Sequence, residues 1–248
     1  MTGVWEKEDT MKQVIVIVSC FFLLFANLAV AEVWMDDFEG DALNERWIPI
    51  QWVPWANEPW DWKVEDGVVK GRWPNWNAQF LFLEEYPSLD YTMQVRCRID
   101  NLLQLHGFGG AGFVFRGSGT GVEPGDRIEP FHGFAINNFC VRIATFHGGL
   151  EFNAMRSEQH DFDQWYTLKL LVENNRFLGY VDDRPVCKMD DDRFKGRFVG
   201  LGISSHTYAS FDDFMISDQV DEDALSEAFD VSPDAMALAT TWADLKVW

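Results

Sequence analysis

Tryptophan is the residue through which this sequence first declares a chemistry. Seven of its 12 tryptophans fall between Trp47 and Trp76. Trp52, Trp55 and Trp60 share the stretch 51–60 (QWVPWANEPW), where Pro54 and Pro59 space them, and Trp76 follows in Trp73-Pro74-Asn75-Trp76-Asn77. An indole ring is a flat apolar platform with one polar N–H. It suits the C–H face of a sugar, whose hydroxyls then need a few convergent polar partners. Proline-fixed φ angles hold such rings in place with little entropy left to lose. Two uses are open for Trp52, Trp55, Trp60 and Trp76: a ligand platform, or a cover over the fold's own open end. Arg116, closing the run Phe113-Val114-Phe115-Arg116 on the face opposite Phe113 and Phe115, is a candidate groove residue or a plain surface charge. His132 and Asn137, on the next β-rich run, are further polar candidates.

Other chemistries lack their residues. The five histidines show no H-E-x-x-H spacing, and neither G-x-S-x-G nor a P-loop occurs. No C-x-x-C is present, so zinc or redox chemistry through cysteine is excluded. Glu123, Asp126 and Glu129 stand in a Gly/Pro-rich stretch able to carry carboxylates to a cleft, but nothing fixes their separation. The balance of 20 Lys+Arg against 40 Asp+Glu gives a formal charge of −20, and no basic stripe offsets it. A phosphate backbone is repelled, which excludes nucleic-acid binding. With 47% hydrophobic and 15% aromatic residues the chain builds a core, which excludes wholesale disorder.

Residues 1–31 read as an export leader. Met11-Lys12 opens an apolar run over 14–28, which ends at Ala29-Val30-Ala31, an A-x-A site before Glu32. Met11 is an alternative start. Lipidation at Cys20 and a retained anchor are the other readings of this segment. The expected product, cleaved after Ala31, is secreted, periplasmic or at the cell surface, with no later membrane span. Cys97, Cys140 and Cys187 remain. Cys97 and Cys140 sit inside β-rich runs, as small buried hydrophobes rather than a disulfide framework.

The body reads as strands. Trp62-Lys63-Val64-Glu65 and Val68-Val69-Lys70-Gly71 flank Asp66-Gly67, a pair that supplies the positive φ of a type I′ hairpin. Further β-rich runs cover 78–83, 91–99, 112–116, 133–137, 140–146, 165–173, 177–181, 186–189, 198–204 and 210–216. Turns are expected at Asn174-Asn175 and Asp182-Asp183. About a dozen strands with no amphipathic helices between them predict one antiparallel sandwich over 32–217. The tail, 218–248, opens acidic. Ser232-Pro233-Asp234 then predicts a helix start, with Met236, Ala239, Trp242, Leu245 and Trp248 as its apolar stripe. It reads as a helix packed on the sandwich, or as a docking segment for a protein partner.

Four segments in order resemble the concanavalin A-like lectin/glucanase superfamily, in its laminin-G-like bacterial branch. They are Asp36-Asp37-Phe38-Glu39-Gly40 with Trp47; the hairpin around Asp66-Gly67; Trp165-Tyr166-x-Leu168-x-Leu170 with Asn174-Asn175 and Val181-Asp182-Asp183-Arg184-Pro185-Val186; and Gly200-Leu201-Gly202 with Phe211-Asp212-Asp213-Phe214. The resemblance covers about 33–217. It implies an all-β jelly-roll of two curved antiparallel sheets, with any ligand on the concave face or its rim loops. Phe38, Trp62, Val64, Phe211 and Phe214 read as its core.

The resemblance also implies that the first and last strands run side by side, so Asp37, Glu39 and Asp213 could converge on a structural calcium ion. Endoglycosidases of the superfamily carry E-x-D-x-E or E-x-D-x-x-E on one strand, where alternate acids share a face. No such string occurs here. The related 3-keto-disaccharide hydrolase type opens on L-F-N-G-x-D-L-x-G-W, where this chain has D-D-F-E-G. The expected function is therefore an exported carbohydrate-binding (lectin-like) or adhesion-type sandwich, its partner an oligo- or polysaccharide. A glycoside hydrolase of that type or of the glucanase type is the alternative, and a cell-envelope protein-interaction module the second.

Overall fold

Strand β6 (Tyr91–Leu102) shows the rule by which this chain folds. Tyr91, Met93, Val95, Cys97 and Ile99 are fully buried, while Gln94, Arg96, Arg98 and Asp100 between them are half-buried. Side chains alternate faces along a strand, so one face of β6 builds a core and the other meets solvent. The computed structural model describes residues 32–51, 61–74, 78–83, 86–102, 109–118, 130–147 and 149–230. The expected leader over 1–31, the expected helix start at Ser232, and Trp52, Trp55, Trp60 and Trp76 lie outside the described residues.

Two antiparallel sheets form. In the eight-stranded sheet the order is β13 (Arg184–Asp190), β12 (Arg176–Val181), β11 (Trp165–Glu173), β6, β15 (Thr207–Ser217), β4 (Val68–Arg72) and β3 (Trp62–Glu65). Strand β1 (Val33–Asp36) pairs with the second half of β15, from Val33 against Ser217 to Asp36 against Phe214, so the first and last strands do run side by side. The seven-stranded sheet has the order β10 (Leu150–Ser157), β9 (Cys140–Phe146), β8 (Phe131–Ile136), β7 (Gly110–Gly117), β14 (Phe198–Ser204), β5 (Ala78–Leu83) and β2 (Trp47–Gln51). One cluster of buried residues joins the sheets, taking Met93, Val95 and Phe211 from one, and Leu81, Phe113 and Leu201 from the other. Phe38, Trp62, Phe211 and Phe214 belong to it, and Val64 packs against it.

The turns follow their residues. Asp66 and Gly67 have φ of 59° and 71°, and Asp182 and Asp183 have 48° and 60°, the paired positive values a type I′ turn requires. Strand β10 has no clean alternation (burial runs exposed, exposed, half-buried, exposed), and its pairing with β9 shifts register between Phe152 and Ala154. That edge strand, and β2, are not legible from periodicity. The three cysteines Cys97, Cys140 and Cys187 are buried free thiols, and burial pushes all three up in pKa.

A helix, α1 (Glu222–Asp230), begins about ten residues before Ser232. Asp221 caps it: its Oδ1 accepts the Ala224 N–H at 2.9 Å and its carbonyl the Leu225 N–H at 3.1 Å. Leu225 and Ala228 pack on Leu171, Leu178 and Tyr180, the outward residues of β11 and β12. A helix of nine residues is marginal alone in water, so this apolar contact holds it.

The Phe211–Phe214 spacing needs a device, because residues three apart on a plain strand face opposite ways. Asp213 supplies it with φ of 51°, and the pairing of β15 with β6 shifts register between Asp212 and Met215. The extra residue turns both phenylalanines inward. Phe214 then meets Trp34, Trp47 and Phe113 edge-on at 5.8, 5.0 and 6.4 Å. Both Asp213→Gly and Asp213→Val lose the carboxylate, but a β-branched residue resists positive φ. The valine variant is expected to be less stable than the glycine variant by about 1–2 kcal/mol, read as a lower urea midpoint at unchanged m-value.

Candidate functional site

The outward face of the eight-stranded sheet divides in two. Over β11 and β12 it is apolar and α1 covers it. Over β3, β4, β15 and β6 it is polar, and there it forms a groove of about 1170 Å³. Lys63, Lys70, Arg72, Arg98, Asp100 and Tyr208 reach this groove from the outward positions of those strands, and Asp61, Trp73, Pro74, Asn101 and Asp163 complete its wall. A second hollow of about 750 Å³ beside α1 has no aromatic side chain in its lining. The outward face of the seven-stranded sheet carries Ile50, Phe80, Phe82, Val114, Phe131 and Phe198, all buried, and a hollow of about 30 Å³ lies beside Val114, Gly133 and Phe146. The first groove therefore combines room, aromatic wall and polar groups, as a small-ligand site requires.

Its polar groups are held rigidly. Arg98 Nε donates to Asp100 Oδ1 at 2.6 Å, Ser210 Oγ donates to Asp100 Oδ2 at 2.7 Å, and Arg98 Nη2 donates to Ser210 Oγ at 3.3 Å. This ring of contacts is backed by Trp165, whose indole lies 4.9 Å from the Arg98 guanidinium and 4.8 Å from that of Arg96. On the other side Lys63 pairs with Asp61 at 2.8 Å, and Lys70 with Asp66 at 3.0 Å and Glu65 at 3.3 Å. Arg72 reaches Glu65 at 3.5 Å. The Asp66 contact leads in holding the Lys70 ammonium above its usual pKa. Tyr208 differs from these groups: it is half-buried on the groove and makes no ring stacking, ion-pair or side-chain hydrogen bond with the described residues.

A buried amide positions one wall. Gln79, on β5 of the other sheet, is fully buried. Its Oε1 accepts the Asp61 N–H at 3.1 Å and its Nε2 donates to the Arg72 carbonyl at 3.3 Å. Arg72 N–H donates to the Asp61 carbonyl at 3.1 Å, and Trp73 N–H to the Thr207 carbonyl at 3.0 Å. The indole Nε1–H of Trp73, buried in the wall, has no acceptor among the described residues.

Several residues stand elsewhere than a regular strand pattern predicts. Arg116 is not on a groove: it is 1% exposed. Its φ of 56° and the register shift beside Phe198 turn it inward with Phe115 rather than away from it. Its Nη2 donates to the Asn174 carbonyl at 2.7 Å and lies 3.7 Å from Asp90, with Tyr91 and Phe177 under the guanidinium. His132 is inward too, with no exposed surface, among Phe115, Phe177 and Phe194. Thr145 Oγ1 donates to Asn153 at 2.6 Å, so His132 Nδ1–H donates to Thr145 at 2.9 Å and Nε2 is the bare nitrogen. Asn137 closes a turn, its Oδ1 accepting the Phe139 and Cys140 N–H groups.

The three acids named for calcium stand at separate contacts. Asp37 Oδ1 accepts the Glu39 N–H at 3.3 Å, Glu39 lies against the Asp66-Gly67 turn, and Asp213 pairs with Arg96 at 3.3 Å. Asp36 is the half-buried partner in that motif, accepting Trp47 Nε1–H at 2.8 Å and the Phe38 N–H at 2.9 Å. Among the described residues no group of three or more His, Cys, Asp or Glu side chains is placed to hold a metal ion. Desolvation, then the neighbouring Asp213 carboxylate, raises the Asp212 pKa. No described strand carries two carboxylates at alternate positions. Glu123, Asp126 and Glu129 lie outside the described residues.

No protein-family model matches this sequence, and no curated protein matches it. Solved structures share its fold. The carbohydrate-binding module CBM66 from Bacillus subtilis is 19% identical, with a TM-score of 0.50, covering 70% of this chain and 97% of that one. A Bacillus subtilis protein with a galectin-like fold is 11% identical, TM-score 0.58, covering 77% and 99%. SCLam, a non-specific endo-β-1,3(4)-glucanase of family GH16, is 10% identical, TM-score 0.52, covering 76% and 91%. At these identities the likeness is one of fold: an all-β jelly-roll sandwich of two antiparallel sheets.

Burial lowers the His132 pKa from 6.5 to about 4, with Asp191 opposing and Arg193 and Arg116 assisting. The unfolded chain then binds more protons between those values, so His132 contributes stability above pH 6.5 that is lost as pH falls towards about 4. His160 is shifted the same way, mainly by burial. In His132→Gln the thermal midpoint is expected to fall less steeply with acid across this window than in the parent, though not to become flat.

Proposed function

We propose that this protein binds a carbohydrate in the groove over β3, β4, β15 and β6. One observation carries the reading: Tyr208 presents an aromatic ring unengaged by the described residues, in a groove whose arginines and lysines are held by ion pairs. The ring takes the apolar face of a sugar. The spare N–H groups of Arg72 and Arg98, and the lone pairs of Asp61, Asp100 and Asp163, take its hydroxyls. The fold shared with a carbohydrate-binding module and a glucanase supports a carbohydrate ligand. The segments carrying Trp52, Trp55, Trp60 and Trp76 join the described chain at Asp61 and Pro74, both in the groove wall, and we propose those indoles as additional contacts.

Binding without cleavage is the function we assign, in an exported lectin-like or adhesion-type role. The leader over 1–31 supports export, and mass measurement of the mature chain beginning at Glu32 tests it. Titration of a polysaccharide panel tests the groove. Tyr208→Ala is expected to weaken affinity at least about tenfold, equivalent to about 1.4 kcal/mol, with the melting curve unchanged. Equal affinity in parent and variant would place the ligand elsewhere. Release of reducing ends, abolished by substituting Glu123, Asp126 or Glu129, would instead establish the hydrolase alternative.

A further inference from the structure

On the reading that the groove holds a carbohydrate, its electrostatics also define which carbohydrates it takes. Four cations line it, and each already has a carboxylate: Lys63 with Asp61, Lys70 with Asp66 and Glu65, Arg72 with Glu65, and Arg98 with Asp100, all within 3.5 Å. Asp163, exposed on the same wall, has no cationic partner among the described residues. Counting these partners, four positive charges stand against five negative ones. We infer that the groove selects uncharged, hydroxyl-rich saccharides and rejects uronates and sulfated glycans.

The reason lies in what each ligand group would find. A ligand carboxylate or sulfate accepts hydrogen bonds but donates none. To reach Arg98 or Lys70 it must share a cation with a resident carboxylate, and it meets Asp163 uncompensated. A hydroxyl both donates and accepts. It can take an unused guanidinium N–H and give its own proton to the remaining lone pairs of Asp100 or Asp163, leaving the resident pairs intact. The long-range field works in the same direction, since the whole chain carries a formal charge of −20 and slows the approach of any polyanion. An acidic protein whose groove cations were unmatched would attract acidic glycans; here they are matched.

The test is affinity electrophoresis and calorimetry with neutral polymers (a mixed-linkage β-glucan, a xylan, a galactan and a mannan) and acidic ones (polygalacturonate, alginate and a sulfated galactan). Each is measured in parent, Tyr208→Ala and Asp163→Asn proteins, at about 20 mM and about 500 mM NaCl, where screening lengths differ several-fold. The inference expects Tyr208-dependent binding of at least one neutral polymer, with affinity changing less than about twofold across that salt range. It expects no binding of the acidic polymers at low salt, and an acidic-to-neutral affinity ratio that rises in Asp163→Asn. Tyr208-dependent binding of an acidic polymer that salt abolishes would overturn the inference and leave the carbohydrate groove standing. Absence of binding by both classes would overturn the groove reading, and the inference with it.

Discussion

The period-two alternation of β6 is the constraint on which the rest of this structure depends. Over 12 residues the strand keeps five core side chains on one face and Arg96, Arg98 and Asp100 on the other, while pairing with β11 and with β15. A slip of one residue would drive those charges between the sheets and expose the core residues, a cost that fixes the register. Groove chemistry and core packing are thus two faces of one strand. The same alternation in β4 and β15 sets Lys70, Arg72 and Tyr208 outward beside Arg98, with Val69 and Phe211 as their inward counterparts.

Departures from alternation are where the structure spends conformational strain, and each has an identifiable use. The left-handed residue at Asp213 brings Phe214 into the aromatic cluster that ties β1 to the opposite sheet. The one at Arg116 turns a guanidinium inward, where the Asn174 carbonyl and the rings of Tyr91 and Phe177 receive it. Gln79 makes the reverse connection. A buried amide in one sheet satisfies Arg72 in the other and Asp61 just before β3, so the groove wall is anchored through the core and not only along its own strands. Leaving either partner unsatisfied would cost about 1–3 kcal/mol, which is why the wall keeps its shape.

Much of the fold was legible because it is local. Asp66-Gly67 and Asp182-Asp183 encode turns through the φ values those residues tolerate, and 91–99 encodes a half-buried strand through its spacing. The site was less so. Arg116 and His132 look outward if the strand is assumed regular or if polarity is equated with exposure. A bulge overturns the first assumption, and for His132 an aromatic cage with a Thr145–Asn153 relay overturns the second. Tyr208 had no sequence signal of its own, because its importance comes from Arg72 and Arg98 lying on strands far away in sequence. One signal was present: polar Arg96 and Arg98 alternating with buried residues marked the outward face, and the groove lies there. The charge count over the whole chain bears on the approach of a polyanion, but the character of the groove itself rests on which cations are already paired.

The most direct measurement is a crystal structure of the protein with a neutral oligosaccharide bound. A sugar ring against Tyr208, with hydroxyls bonded to Arg72, Arg98 and Asp100 and the Arg98–Asp100 pair retained, is the result this account predicts. A sugar seated on the outward face of the seven-stranded sheet, over Phe80, Phe131 and Phe198, would contradict it.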